Sequence, residues 1–188
     1  MRQLHPITLI IATLLASWLG MQAVHELGHI LTARLSGGQV ERVILHPLTI
    51  SRTDLADNPH PLAVAWGGPT LGVLIPLIVF GAAAISDIAE RFVLRFFAGF
   101  CLVANGVYLG VGSFLNVGDA GDIVRHGSPA WTMWLFGAVC VQTGFWLWNG
   151  LGPHFGLGPD PRPISRRVVL EVVMTCVALL ILGFWIGR

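Results

Sequence analysis

The residues His25-Glu26-Leu27-Gly28-His29 carry the densest chemistry in the chain, and they lie inside an apolar run from Ile7 to Leu35. On an α-helix, positions i and i+4 differ by about 40° and about 6 Å of rise, so both imidazoles reach one point beside the helix. That point suits a zinc ion, which binds imidazole nitrogen well. Glu26 lies about 100° round from His25. It is poorly placed to ligate from that face and well placed to approach a metal-bound water from the side, as a general base. Seven His and four Glu placed at random in 188 residues give this pattern in about half a per cent of chains, so the match is specific. An ionisable group costs roughly 2.5–3.5 kcal/mol at the centre of a membrane helix. Zinc binding releases on the order of 10 kcal/mol or more in small structural sites, enough to offset that cost. Haem is excluded, because two histidines on one helical face cannot take opposite axial positions of one ring.

A catalytic zinc takes a third protein ligand and keeps one position open for water. Leu27 stands about 9 Å past the midpoint of the first apolar run, and the third run, travelling in the same direction, ends at that depth. Its end reads Phe114-Leu115-Asn116-Val117-Gly118-Asp119-Ala120-Gly121-Asp122-Ile123. Asp119 or Asp122 is therefore the expected third ligand, with glycines that let the backbone bend toward a metal. His126 lies farther into that loop, and His5, His46, His60 and His154 are expected at the ends of the runs. Asn105, deep in the third run, is expected to hydrogen-bond a neighbouring helix, the other reading being a substrate carbonyl.

The elements that must position these residues follow from composition. Hydrophobic residues make up 54%, charged residues 11%, and the mean hydropathy is +0.73, whereas a soluble domain carries about 25% charge. The bilayer is the expected solvent. A formal charge of +1, with eleven Arg and no Lys, lacks the basic surface of a nucleic-acid binder. Cys101, Cys140 and Cys176 show no CxxC spacing and suggest neither a disulfide framework nor a sulfur metal site. The first run is too long, and too polar at its end, for a signal peptide. Ile7 to Leu35, Leu62 to Ile85, Phe92 to Leu115, Trp131 to Leu151 and Val168 to Ile186 are each long enough to cross about 30 Å of hydrocarbon. Trp131 and Trp134 open the fourth run and Trp146 and Trp148 close it, as aromatic belts do. Val40 to Arg52 is rich in β-branched residues and sets Ile44, His46, Leu48 and Ile50 on one parity, which predicts a strand or hairpin. Pro47 makes that strand an edge. The expected fold is an all-α, multi-pass membrane protein of about five transmembrane helices with a short membrane-associated β-segment between the first two. It forms one domain over 1–188 and is expected in the cell membrane.

His25-Glu26-Leu27-Gly28-His29 in the first run, Gly67-Gly68-Pro69 in the second and an aspartate after the third together resemble the site-2 protease family of intramembrane zinc metalloproteases. The likeness covers about residues 7–123, with further helices over about 130–188, and Gly38-Gln39-Val40-Glu41-Arg42 looks like the family's membrane-associated β-segment. Family members carry a Leu-Asp-Gly motif preceded by prolines. This chain keeps Asp119 with Ile123 four residues later, has Ala120 after the aspartate and lacks the prolines. The resemblance favours Asp119 over Asp122 and implies zinc on His25, His29 and Asp119. It also implies Glu26 as the catalytic base and hydrolysis of a peptide bond in a transmembrane protein or peptide. No peripheral peptide-binding domain is inserted, so regulation is expected from a membrane partner or from the spans themselves. The competing class is a membrane metal transporter or metal-dependent sensor using the same His/Asp cluster. Gly68-Pro69 is expected to pack closely against the first span.

Overall fold

The computed structural model describes residues 4–86, 88 and 90–186. Helix α1 covers Leu4–Leu35, and strands β1 (Gln39–Ile44) and β2 (Arg52–Asp57) pair antiparallel as a hairpin. Helices α2 (Pro61–Ile85), α3 (Arg91–Leu115), α4 (Gly118–Arg125), α5 (Ala130–Trp148) and α6 (Arg166–Ile186) follow, with one 3-10 turn at Gly152–Phe155. Gly37, at φ +86°, stops α1, and the Gly38 N–H then donates to the Ala33 carbonyl at 2.7 Å. That left-handed turn satisfies a carbonyl that the helix end leaves open.

Helices α1, α2, α3 and α6 are long and apolar enough to cross a membrane. The fourth run expected from the sequence is the helix α5, of 19 residues. It is not among the helices that length and composition mark as able to cross, so a fifth span is not established. Helix α5 lies antiparallel to α3 through glycine contacts two turns apart. A Cβ on Gly106 would stand 3.2 Å from the Gly137 carbonyl oxygen, and one on Gly144 would stand 2.8 Å from that of Gly99. Backbones approach this closely only where side chains are absent. Trp148 donates to the Phe96 carbonyl at 3.0 Å, while Trp134 donates to Ser113 Oγ at 2.9 Å and stacks on Phe114. Two of the four expected belt tryptophans thus pin α5 to the two ends of α3.

The β-segment differs from its expected extent. Strand β1 stops at Ile44 and its partner runs from Arg52 to Asp57, so His46, Pro47, Leu48 and Ile50 lie in the connection and not on a strand. Pro47 cannot donate to a ladder, and Leu48 and Ile50 are 81% and 90% exposed, leaving no buried face to hold a strand register. Cys101, Cys140 and Cys176 are buried and free, as expected of packing residues.

Candidate metal centre

His25 and His29 project from one face of α1. His25 Nε2 and His29 Nε2 lie 3.1 Å apart, and Asp119 Oδ2 stands 2.9 Å from the first and 3.3 Å from the second. Edges of this length approach the roughly 3.3 Å between ligands of a tetrahedral zinc with bonds of about 2.0–2.1 Å. The far nitrogens decide which atoms can ligate. His29 Nδ1 lies 2.8 Å from the Val64 carbonyl oxygen, which can only accept, so that nitrogen carries the proton. Asn105 Nδ2 donates to the Cys101 carbonyl at 2.9 Å, which turns its Oδ1 toward His25 Nδ1 at 2.7 Å. His25 Nδ1 therefore also donates. In the neutral rings both Nε2 lone pairs face a carboxylate oxygen with no hydrogen among the three. A proton can bridge one edge of such a triangle; a metal ion satisfies all three corners, and acceptors on the outer ring nitrogens are the usual support of metal-ligating histidines. His25, His29 and Asp119 are the one His/Cys/Asp/Glu group of this kind among the described residues.

The elements hold these atoms by close packing. A Cβ on Gly28 would lie 2.9 Å from the Gly68 Cα, so α1 and α2 meet backbone to backbone. A Cβ on Gly68 would clash with the His29 ring, nearest its Nε2. Close packing against α1, expected of Gly67-Gly68-Pro69, is what α2 provides. Asp119 arrives through a sharp turn: Asn116 (φ 52°) ends α3 in the left-handed region, Val117 is extended, and Gly118 (φ 55°) starts α4. Ala120 and Ile123 are then fully buried beside Leu109 and Met133, which fixes the rotation of α4. The Asp119 N–H donates to the Tyr108 hydroxyl at 3.1 Å. Burial alone would push the Asp119 carboxyl up, but with protons on the facing nitrogens the hydrogen bonds from His25 and His29 outweigh it and hold the group well below the usual carboxylate range.

Asp122 lies away from the cluster, in an exposed ion pair with Arg125, and His126 bonds back to the Asp122 carbonyl. Glu26 is 3% exposed. Its Oε2 accepts the Thr53 hydroxyl at 2.8 Å from β2, and its other oxygen has no hydrogen-bond partner among the described residues. Glu26 and His25 line a cavity of about 970 Å³ between α1, α3 and the Pro47–Ser51 connection. Three supports went unread in the sequence: the Val64 carbonyl, Thr53 and Tyr108. A backbone carbonyl carries no residue-type signal, and Thr53 lies on a strand beyond the stretch read as β. Tyr108, the only tyrosine in the chain, stands three residues after Asn105 and could have been noticed. Comparison with protein-family models, with curated proteins and with solved structures gives no match.

Proposed function

We propose that the chain is a multi-pass membrane metalloprotease that uses zinc to cut a peptide bond in a transmembrane protein or peptide. The observation that carries this reading is the three-cornered donor set of His25, His29 and Asp119 beside the buried Glu26 carboxylate with one unbonded oxygen, with His25 and Glu26 lining one cavity. Helix α5 is read as a fifth span, since its 19 residues extend about 28 Å and match a bilayer core of about 30 Å. The cell membrane is the expected location.

Zinc, when bound, polarises a scissile carbonyl and lowers the pKa of a water. His25, His29 and Asp119 hold it, with Asn105 and the Val64 carbonyl fixing the two imidazole planes. Glu26 takes the proton from the attacking water on its unbonded oxygen and returns it to the departing amine. Thr53 holds the carboxylate toward the cavity through the other oxygen. A transmembrane helix hides its carbonyls in its own hydrogen bonds, so substrate must unwind to enter. The large cavity and the exposed Pro47–Ser51 connection above it give room for that.

Glu26→Gln keeps size and polarity and removes basicity. The variant should keep its zinc and lose at least 10²- to 10⁴-fold in cleavage of a model transmembrane peptide. A transporter would instead carry zinc into proteoliposomes and leave the peptide whole; wild-type zinc flux without proteolysis would sink the protease reading.

A further inference from the structure

Gln22 stands one turn before Glu26 on α1, at i and i+4, so both side chains point to the same side of the helix. It is 8% exposed, it borders the same cavity as Glu26 and His25, and its carboxamide makes no hydrogen bond to any described residue. Neither of its polar atoms is among the fully enclosed unpartnered ones, so the amide opens onto the cavity, where a ligand group can complete it. Of the two amides that line the cavity, the other is engaged, as are Thr53 and the Tyr108 oxygen nearby. Asn105 is held between His25 and Cys101, Thr53 is held on Glu26, and Tyr108 accepts from the Asp119 backbone. Gln22 is the amide left with donor and acceptor both open.

We infer that Gln22 is a substrate-binding residue that pairs its carboxamide with one peptide group of an unwound substrate. An amide side chain offers one acceptor and a donor pair in a plane, which is the complement of a peptide N–H and C=O. A helical substrate has both groups tied up; an extended one presents them. The ligand class is therefore extended polypeptide rather than a metal ion in transit or an acyl chain, neither of which uses a carboxamide in both senses. The spacing sets the position: Gln22 lies about 6 Å along α1 from Glu26, and an extended chain advances about 3.3 Å per residue. The peptide group it holds is about two residues from the scissile bond. This inference rests on the proteolytic reading above, and its test separates the two.

The test uses full-length wild type and Gln22→Met, which keeps length and helix preference while removing hydrogen bonding. The probe is a fluorescent single-span Leu/Ala peptide with a Gly-Gly pair at its centre. Zinc content, peptide affinity and cleavage kinetics are measured, then repeated with the peptide N-methylated at each bond around the cut. Gln22→Met should keep wild-type zinc, bind the peptide about tenfold more weakly, and raise KM more than it lowers kcat. N-methylation about two residues from the cut should cost the wild type about tenfold and Gln22→Met almost nothing. Equal affinities, equal N-methyl losses in both proteins, or loss of zinc from Gln22→Met would each overturn the inference. A wild type that binds the peptide without cutting it defeats the proteolytic reading and leaves Gln22 to be decided by the affinity difference alone. A wild type that does neither overturns both.

Discussion

Asn105 and His25 are 80 residues apart in sequence and meet at 2.7 Å. That contact converts an amide in an apolar helix into the group that aims one imidazole of the candidate centre. The carboxamide is itself locked by the Cys101 carbonyl at 2.9 Å, so the His25 ring has one orientation and one tautomer. Asn105→Leu should leave the fold in place and lower zinc affinity by about 10- to 100-fold, measured by competition with a coloured chelator. The two aspartates of α4 provide a sharper contrast. Asp119→Asn removes the only carboxylate of the cluster and should strip zinc from the purified protein. Asp122→Asn breaks only an exposed pair with Arg125, a kind of contact worth at most about 1 kcal/mol, and should retain full zinc. Equal zinc loss in both would place the ligand elsewhere.

The decisive contact between elements is that of α1 with α2. Gly28 and Gly68 remove the side chains that would hold the two backbones apart, and the space at Gly68 is taken by the His29 ring. Gly68→Ala should therefore disturb the fold and the centre together: about 1–3 kcal/mol of overpacking and weakened zinc binding as the ring is displaced. Gly81→Ala is the internal control on the same helix, because a Cβ there meets nothing within 4 Å, and Ala is the better helix former. It should leave zinc unchanged and thermal stability in detergent equal or slightly higher. If both variants behaved alike, the close approach would not be holding His29. The β-hairpin acts at the same scale, since β2 delivers Thr53 to Glu26 while the connection it shares with β1 forms one wall of the cavity.

Across the whole molecule, the candidate centre joins segments that are far apart in sequence: α1 brings two imidazoles, α4 a carboxylate, α2 and α3 the supporting acceptors. A ligand bound only by the folded state stabilises it in proportion to its affinity, by about 4 kcal/mol at a thousandfold excess over Kd. Chelation should accordingly lower the thermal midpoint of the wild type in detergent, and zinc should restore it. The double variant His25→Ala, His29→Ala should show neither response. A wild type indifferent to chelator would mean that the cluster is held by shared protons and no metal.

Local periodicity was enough to read α1 and its motif, because the four-residue spacing of His25 and His29 puts two imidazoles together through geometry internal to one helix. Apolar length located α2, α3 and α6, whose residues need no partner to be recognised as long hydrophobic runs. The parallel travel of the first and third runs, with the family resemblance, singled out Asp119, although the turn through Asn116 and Gly118 that brings it in was visible only as a cluster of glycines. Two things depended on tertiary structure. The roles of Asn105, Val64 and Thr53 arise from contacts between segments 27 to 80 residues apart, and no repeat in the chain encodes such a distance. The extent of the β-segment was decided by what lay beneath it: the pattern from Ile44 to Ile50 alternates as a strand does, but no face was buried under Leu48 and Ile50, and alternation without burial does not hold a strand in register.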